Sequence, residues 1–278
     1  MLAKVKNIIR AKPAIEGAGV RLNRVFDFQT RYQTDPFLLL DHFGSDNPKD
    51  FEAGFPWHPH RGIETVTYMM SGEIEHSDSL GNTAVIGPGD VQWMTAGSGI
   101  IHQEMPRAQN GLMYGFQLWV NLPHEYKMFP PQYRELRSGS IPVVETTGSK
   151  VKVISGRFRK NQGGVSNLHV GIDFFDVKLW PDSILDETIN IDYNYYIYVY
   201  DGVISLPDFE HPIRSMEGVI LDKGRILQVK AGADGANFLI FGGEPLNEPI
   251  AWRGPIVMNT EDEVNTAFEE FYNGNFIK

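Results

Sequence analysis

The 278 residues contain no cysteine. Disulfides, thiolate zinc sites and thiol nucleophiles are thereby excluded. Any metal chemistry must rest on imidazole, carboxylate and carbonyl donors. Long apolar runs are also lacking. The longest, such as Pro36-Phe-Leu-Leu-Leu40, fall far short of a membrane span. Residues Met1 to Arg10 hold no apolar core fit for a signal peptide. Positive charge is in deficit: 25 Lys and Arg against 35 Asp and Glu give a net charge of −10. Direct nucleic-acid binding is disfavoured, because it rests on Lys and Arg neutralising phosphates. A middle cluster of Arg134, Arg137, Lys150, Lys152, Arg157, Arg159 and Lys160 reads as a solvated loop surface. The expectation is a soluble cytosolic protein with no membrane contact, the nucleus being open to it in a eukaryote.

Turn residues and strand formers are abundant. With 28 Gly and 17 Pro among many short Val/Ile/Tyr/Phe-rich runs, the chain reads as all-β. Turn signals such as Ser71-Gly72, Gly81-Asn82, Gly87-Pro-Gly89-Asp90 and Asp201-Gly202 separate the strands and predict sandwich or barrel units. The length suits two domains. Pro123, Pro130, Pro131 and Pro142 mark residues 123–150 as the connection between them. The expected division is residues 1–135, 136–250, and a tail with a helix at 251–278. Thr260-Glu-Asp-Glu263 is a capping box. Val264, Ala267, Phe268, Phe271 and Tyr272 form an apolar stripe on the helix that follows.

The chemistry concentrates between Gly54 and Glu104. His58-Pro-His60 and His102-Gln-Glu104 are two pairs spaced by two residues. In a strand, residues i and i+2 share a face, so each pair can aim two donors at one point. Three imidazoles and a carboxylate suit Fe(II), Mn, Co, Ni, Cu or Zn. They leave open positions on an octahedral ion, the mark of a catalytic rather than a structural site. One carboxylate on a divalent ion leaves a formal positive charge that favours an enolate or catecholate. Glu64 shares parity with His58 and His60; as a fifth ligand, a partner orienting a histidine, or a residue turned outward by a bulge, it stays open. Phe55, Trp57, Tyr68, Met70, Trp93, Met94, Met105, Met113, Phe116 and Trp119 supply an apolar neighbourhood, mostly core, with a few lining a cavity. Gln117 is a polar pocket candidate. His42, His76, His124, His169 and His211 read as structural or surface histidines.

The second half echoes the first without the donors. Tyr68-Met-Met-Ser-Gly72-Glu-Ile74 is similar to Tyr198-Val-Tyr-Asp-Gly202-Val-Ile204. In that register Thr188, Asn190 and Asn194 fall opposite His58, His60 and Glu64. A shifted offset puts Asn237 and Leu239 opposite His102 and Glu104. A duplicated β-barrel with metal in the first copy only is expected.

The chain resembles the pirin family of the cupin superfamily. The resemblance lies in His58-Pro-His-Arg-Gly-Ile-Glu-Thr-Val66, in Asp90-Val-Gln-Trp-Met-Thr-Ala-Gly97 and in Gln117-Leu-Trp-Val-Asn-Leu122. It continues through Gly243-Glu-Pro-Leu-Asn-Glu-Pro249 and Gly254-Pro-Ile-Val-Met-Asn-Thr260, so it spans nearly the whole length. It implies two tandem cupin barrels, an N-terminal one holding a single metal, usually iron, and a C-terminal one without. The implied ligands are His58, His60, His102 and Glu104, with Glu104 doubling as general base. Glu64 is implied to act behind the ligands or structurally. The implied activity is flavonol cleavage with O₂, as a quercetin 2,3-dioxygenase. The alternative is an iron-containing, redox-sensitive regulator that binds a transcription factor or a metabolic enzyme.

Overall fold

The structure, a computed structural model, describes residues 1–107 and 111–278. It is almost entirely antiparallel β-structure with one α-helix, Glu261–Tyr272, among the described residues. Among the described residues no helix is long and apolar enough to cross a membrane.

Two compact units interleave along the sequence, where three consecutive pieces are expected from composition. One comprises Lys12–Arg31, Pro36–Ser138 and Leu246–Lys278; the other comprises Met1–Ala11, Tyr32–Asp35 and Gly139–Pro245. The strand Val5–Arg10 explains part of the difference. It pairs with Glu217–Leu221, joining a sheet made otherwise of residues beyond 142. Which sheet an edge strand completes is a long-range choice that local composition does not carry.

The first unit holds three antiparallel sheets, the smallest a pair of short strands, Ala251–Arg253 and Ile256–Met258. Seven strands run in the order Gln132–Leu136, Val91–Thr95, Ile63–Ser71, Met113–Asn121, Phe37–Ser45, Val20–Phe26 and Lys12–Glu16. Four more run Phe55–His60, Ile100–Arg107, Glu73–Asp78 and Thr83–Ile86. The residues expected to connect the two domains thus supply an edge strand, Gln132–Leu136, paired along Val91–Thr95. Prolines 130 and 131 stop short of that strand, so they do not break its ladder.

The helix begins as the sequence predicts. Thr260 Oγ1 accepts from the Glu263 N–H at 3.3 Å, and Glu263 Oε2 accepts from the Thr260 N–H at 2.9 Å. Val264 and Ala267 bury fully against Ala251, Ile256, Met258 and Phe276. Tyr272, assigned to the apolar stripe, is 80 % exposed instead. Its ring lies against Phe268 and Phe271, which themselves pack on that core.

The second unit is organised on a nine-stranded sheet whose longest strand, Ile226–Gly243, pairs with Ile172–Leu179, Ile184–Thr188 and Asn194–Ser205. Its core is aliphatic and aromatic, including Val153, Val177, Ile197, Val229 and Phe238. Three residues of the basic stretch form local ion pairs: Arg137 with Asp90 and Glu135 in the first unit, Lys150 with Glu145 and Arg159 with Glu187 in the second.

Candidate metal centre

Two neighbouring strands of the four-stranded sheet carry both donor pairs. Phe55–His60 and Ile100–Arg107 pair antiparallel, with His102 opposite His58 and Ile100 opposite His60. Residues two apart share a face, so all three imidazoles meet on the inner side. One nitrogen from each of His58, His60 and His102 lies within 4.8 Å of the others. The ring centroids are 4.3 to 5.0 Å apart. His60 and His102 are buried, and His58 is partly open.

Hydrogen bonds fix the tautomers of two of the rings directly. His58 Nδ1 lies 2.9 Å from the Pro56 carbonyl oxygen, and His60 Nδ1 lies 3.2 Å from that of Pro255. A carbonyl only accepts, so each Nδ1 carries a proton, and in the neutral ring Nε2 keeps its lone pair. His102 Nε2 is buried with no hydrogen-bond partner. A buried polar atom without a partner is costly, and a cation facing it relieves the cost. Burial and then the neighbouring imidazoles hold His60 and His102 well below the ordinary histidine pKa. Neutral imidazole is the form that binds metal. The donor set therefore fits a divalent transition metal.

Glu104 stands beside this group rather than inside it. It forms a second close set with His76 and His102, again within 4.8 Å. A register shift between His102 and Glu104 puts Glu104 opposite Phe55. Its Oε1 accepts from Gln92 Nε2 at 3.1 Å and Thr67 Oγ1 at 2.9 Å, both on the facing sheet. Thr67 Oγ1 also lies 2.7 Å from Gln117 Oε1. One hydroxyl proton cannot serve two acceptors, so the Gln117 amide is better turned with its NH₂ towards Thr67. The chain then runs Gln117 to Thr67 to Glu104.

Glu64 lies elsewhere. Fully buried, it accepts from Trp93 Nε1 at 2.9 Å and Thr95 Oγ1 at 2.7 Å. It belongs to neither close donor group among the described residues. Its parity with His58 and His60 is broken at Gly62, between the two strands. Gly62 has φ +78°, and a Cβ there would come within 1.9 Å of the Val257 carbonyl oxygen. Buried Lys127 fastens this turn, donating from Nζ to the carbonyls of Gly62 at 2.9 Å and Val257 at 3.0 Å and to Asn121 Oδ1 at 2.7 Å. Burial pulls the Lys127 ammonium down to about 7 against the opposing pull of Glu248 and Glu263.

His58 and His60 open on a cavity of about 680 Å³ whose lining also includes Phe55, Glu104, Gln117 and Trp119. An aromatic series runs outward along it, from His60 to Trp119 (5.0 Å), Trp252 (5.9 Å) and Phe28 (5.8 Å). Trp57, grouped with the apolar neighbourhood, is 54 % exposed and faces away. Arg24 also lines the wall, but Asp41 grips it through two bonds of 2.7 and 2.8 Å and Glu16 through a third of 2.8 Å.

His76, Thr67 and Gln92 escaped the sequence reading. The available signal was alternation: His76 and Asp78 are spaced by two on a strand whose burial alternates, and both are buried. A buried polar pair of one parity marks an inner face that is not only core.

The pirin profile matches residues 19–120, and the pirin C-terminal cupin domain matches residues 174–277. The chain belongs to the pirin family. A pirin-like protein of Caulobacter vibrioides is 42 % identical over 274 residues, 98 % of each chain. The crystal structure of a quercetin 2,3-dioxygenase from Acinetobacter baumannii superposes with a TM-score of 0.91 at 31 % identity, covering 99 % of each chain. A bacterial pirin from Escherichia coli, solved in complex with nickel(II), shares the fold with a TM-score of 0.66 at 21 % identity over 86 % of this chain and 99 % of its own. This pirin is accordingly an all-β protein with two cupin domains and a helix near residue 270.

Proposed function

We propose that this pirin is a metal-dependent dioxygenase acting on flavonols of the quercetin type. The observation that carries the reading is the set of three clustered imidazoles, one with a buried unpartnered Nε2 and two lining a cavity walled by aromatic rings. His58, His60 and His102 would hold a divalent metal, Fe(II) in first place, with Glu104 turning in as the fourth ligand. When bound, such an ion supplies Lewis acidity towards a phenolic oxygen and, as iron, access to O₂.

The protein's own groups do the rest. Phe55 and Trp119 offer flat apolar walls that seat a planar polyphenol and exclude water. Glu104 is the one carboxylate beside the imidazoles on the cavity, and it takes the proton of the flavonol hydroxyl. Gln92 and the Gln117–Thr67 chain hold Oε1, so the carboxylate is oriented before substrate arrives. The second unit supplies no imidazole at the positions matching His58, His60 and His102, which confines the reaction to the first.

An oxygen electrode with quercetin, run beside elemental analysis, tests this reading. The expected result is oxygen uptake with carbon monoxide release by the metal-loaded protein, and loss of both metal and turnover in His58→Ala. Flavonol cleavage surviving in that variant would overturn the assignment. Full metal loading without oxygen uptake would turn the reading towards a redox-sensitive regulator with a protein partner.

A further inference from the structure

His102 differs from the other two imidazoles in what stands behind it. His58 and His60 each point Nδ1 at a backbone carbonyl. His102 Nδ1 instead lies 3.4 Å from Nδ1 of His76, a side chain on the adjacent strand. His76 is fully buried, and its Nε2 lies 3.1 Å from Asp78 Oδ2. Two imidazole nitrogens facing each other require one donor and one acceptor, and the rest of the chain decides which is which.

The decision starts at Asp78. Its Oδ1 accepts from the backbone N–H groups of Leu80 at 2.9 Å and Asn82 at 3.0 Å, and its Oδ2 from Asn82 Nδ2 at 2.9 Å. Three N–H donors converge on it, which keeps it an ionised acceptor. His76 Nε2 must then carry a proton and donate to it. In neutral His76, Nδ1 is left as the acceptor, so His102 Nδ1 must carry the proton donated to it. His102 Nε2 is left with its lone pair, and that is the buried atom with no partner.

We infer that Asp78 and His76 form a hydrogen-bonded relay that sets the His102 tautomer and aims its Nε2 lone pair at the centre. The relay rests on the metal reading above. Asp78 and His76 are positioning residues: neither faces the reacting atoms, and they act only through His102. A carboxylate at the end of the chain pushes electron density along two imidazoles, whereas a neutral carbonyl behind His58 or His60 gives less. Tyr133 stacks on His76 with ring centroids 4.7 Å apart and keeps the ring in the plane the relay needs. A competing role for His76 as a ligand would have to give up both of its hydrogen bonds, since each ring nitrogen already has one.

The test uses the full-length protein. Side-chain ¹⁵N NMR of the metal-free wild type should find the His102 proton on Nδ1 and the His76 proton on Nε2. Anaerobic Fe(II) titration against a chromophoric chelator then compares wild type with His76→Leu, His76→Gln and Asp78→Asn. Loss of an orienting partner typically costs about 10–100-fold in metal affinity, and His76→Leu and Asp78→Asn should show it. Glutamine can accept from His102 through Oε1 and donate to Asp78 through Nε2, so His76→Gln should recover most of the affinity. The reduction potential of bound iron should rise in His76→Leu, because His102 without its carboxylate-backed partner donates less electron density and favours Fe(II). A proton on His102 Nε2, or wild-type affinity in both broken variants, overturns the relay. Equal loss in His76→Gln and His76→Leu overturns it in favour of direct ligation. A wild type that takes up no Fe(II) sinks the metal reading instead, and the NMR still decides the tautomers.

Discussion

At the residue scale, the sequence spells out the donors by spacing but not the groups that orient them. His58, His60 and His102 were legible because a period of two is the signature of one strand face. Thr67, Gln92 and His76 were not, since single polar residues in a β-run look the same whether they face a cavity or solvent. Glu64 is the instructive case: its parity matches the ligands, yet Gly62 resets the strand and sends it to Trp93 and Thr95. Glu64→Ala should therefore lower the melting temperature, at a cost of roughly 2–4 kcal/mol from two stranded donors, while metal stoichiometry stays at the wild-type level. Loss of metal in a folded Glu64→Ala protein would return Glu64 to the centre. His42 gives a second residue-scale prediction. It is buried between Tyr114 and Phe116, and burial lowers its pKa to about 4. The unfolded chain takes up the proton at the ordinary value, so the stability tied to neutral His42 is whole above pH 6.5 and is lost as pH falls through 4. The loss is about 3 kcal/mol. Denaturant titrations of the metal-free protein at several pH values should show a shallower acid slope in His42→Phe; identical slopes would refute the assignment.

At the scale of elements, the helix and the ligand strand are held together by one arginine. Arg61 follows His60 directly and is buried. Its guanidinium donates to Glu270 Oε2 at 2.7 Å and to the Phe276 carbonyl at 2.8 Å, and it lies 4.3 Å from the Phe276 ring centroid. Gly99, two residues before the second ligand strand's Ile101, is packed so closely that a Cβ would meet the Phe276 carbonyl oxygen at 2.8 Å. The capping box and the start of the stripe were readable from residues 260–267, because capping is local chemistry. The docking of Phe276 was not, because it joins residues more than 200 apart. Arg61→Ala should cost about 2–4 kcal/mol by stranding the Phe276 carbonyl and removing a buried side chain, while Lys278 still faces Glu270. It should also weaken metal binding through the adjacent His60. Unchanged metal affinity in the destabilised variant would separate the latch from the centre.

At the scale of the molecule, the all-β class and the pair of cupin domains were legible, since turn chemistry and repeated strand spacing are both visible in one dimension. The interleaving of the units was not, because edge pairing is decided by which sheet has an open ladder. Chelating the metal should raise hydrogen exchange along residues 55–60 and 100–107 while leaving 172–179 and 226–243 as they were, since bound ligand stabilises only the unit that holds it. Equal deprotection of both units would contradict a single centre. The interleaving also sets an order of assembly. The Pro255 carbonyl that fixes His60 and the Glu270–Phe276 segment that clamps Arg61 are translated some 150 residues after His102. A ribosome that has finished the strands carrying all three imidazoles still bears an immature site. His60 gains its carbonyl partner and Arg61 its clamp only once the last segment has emerged.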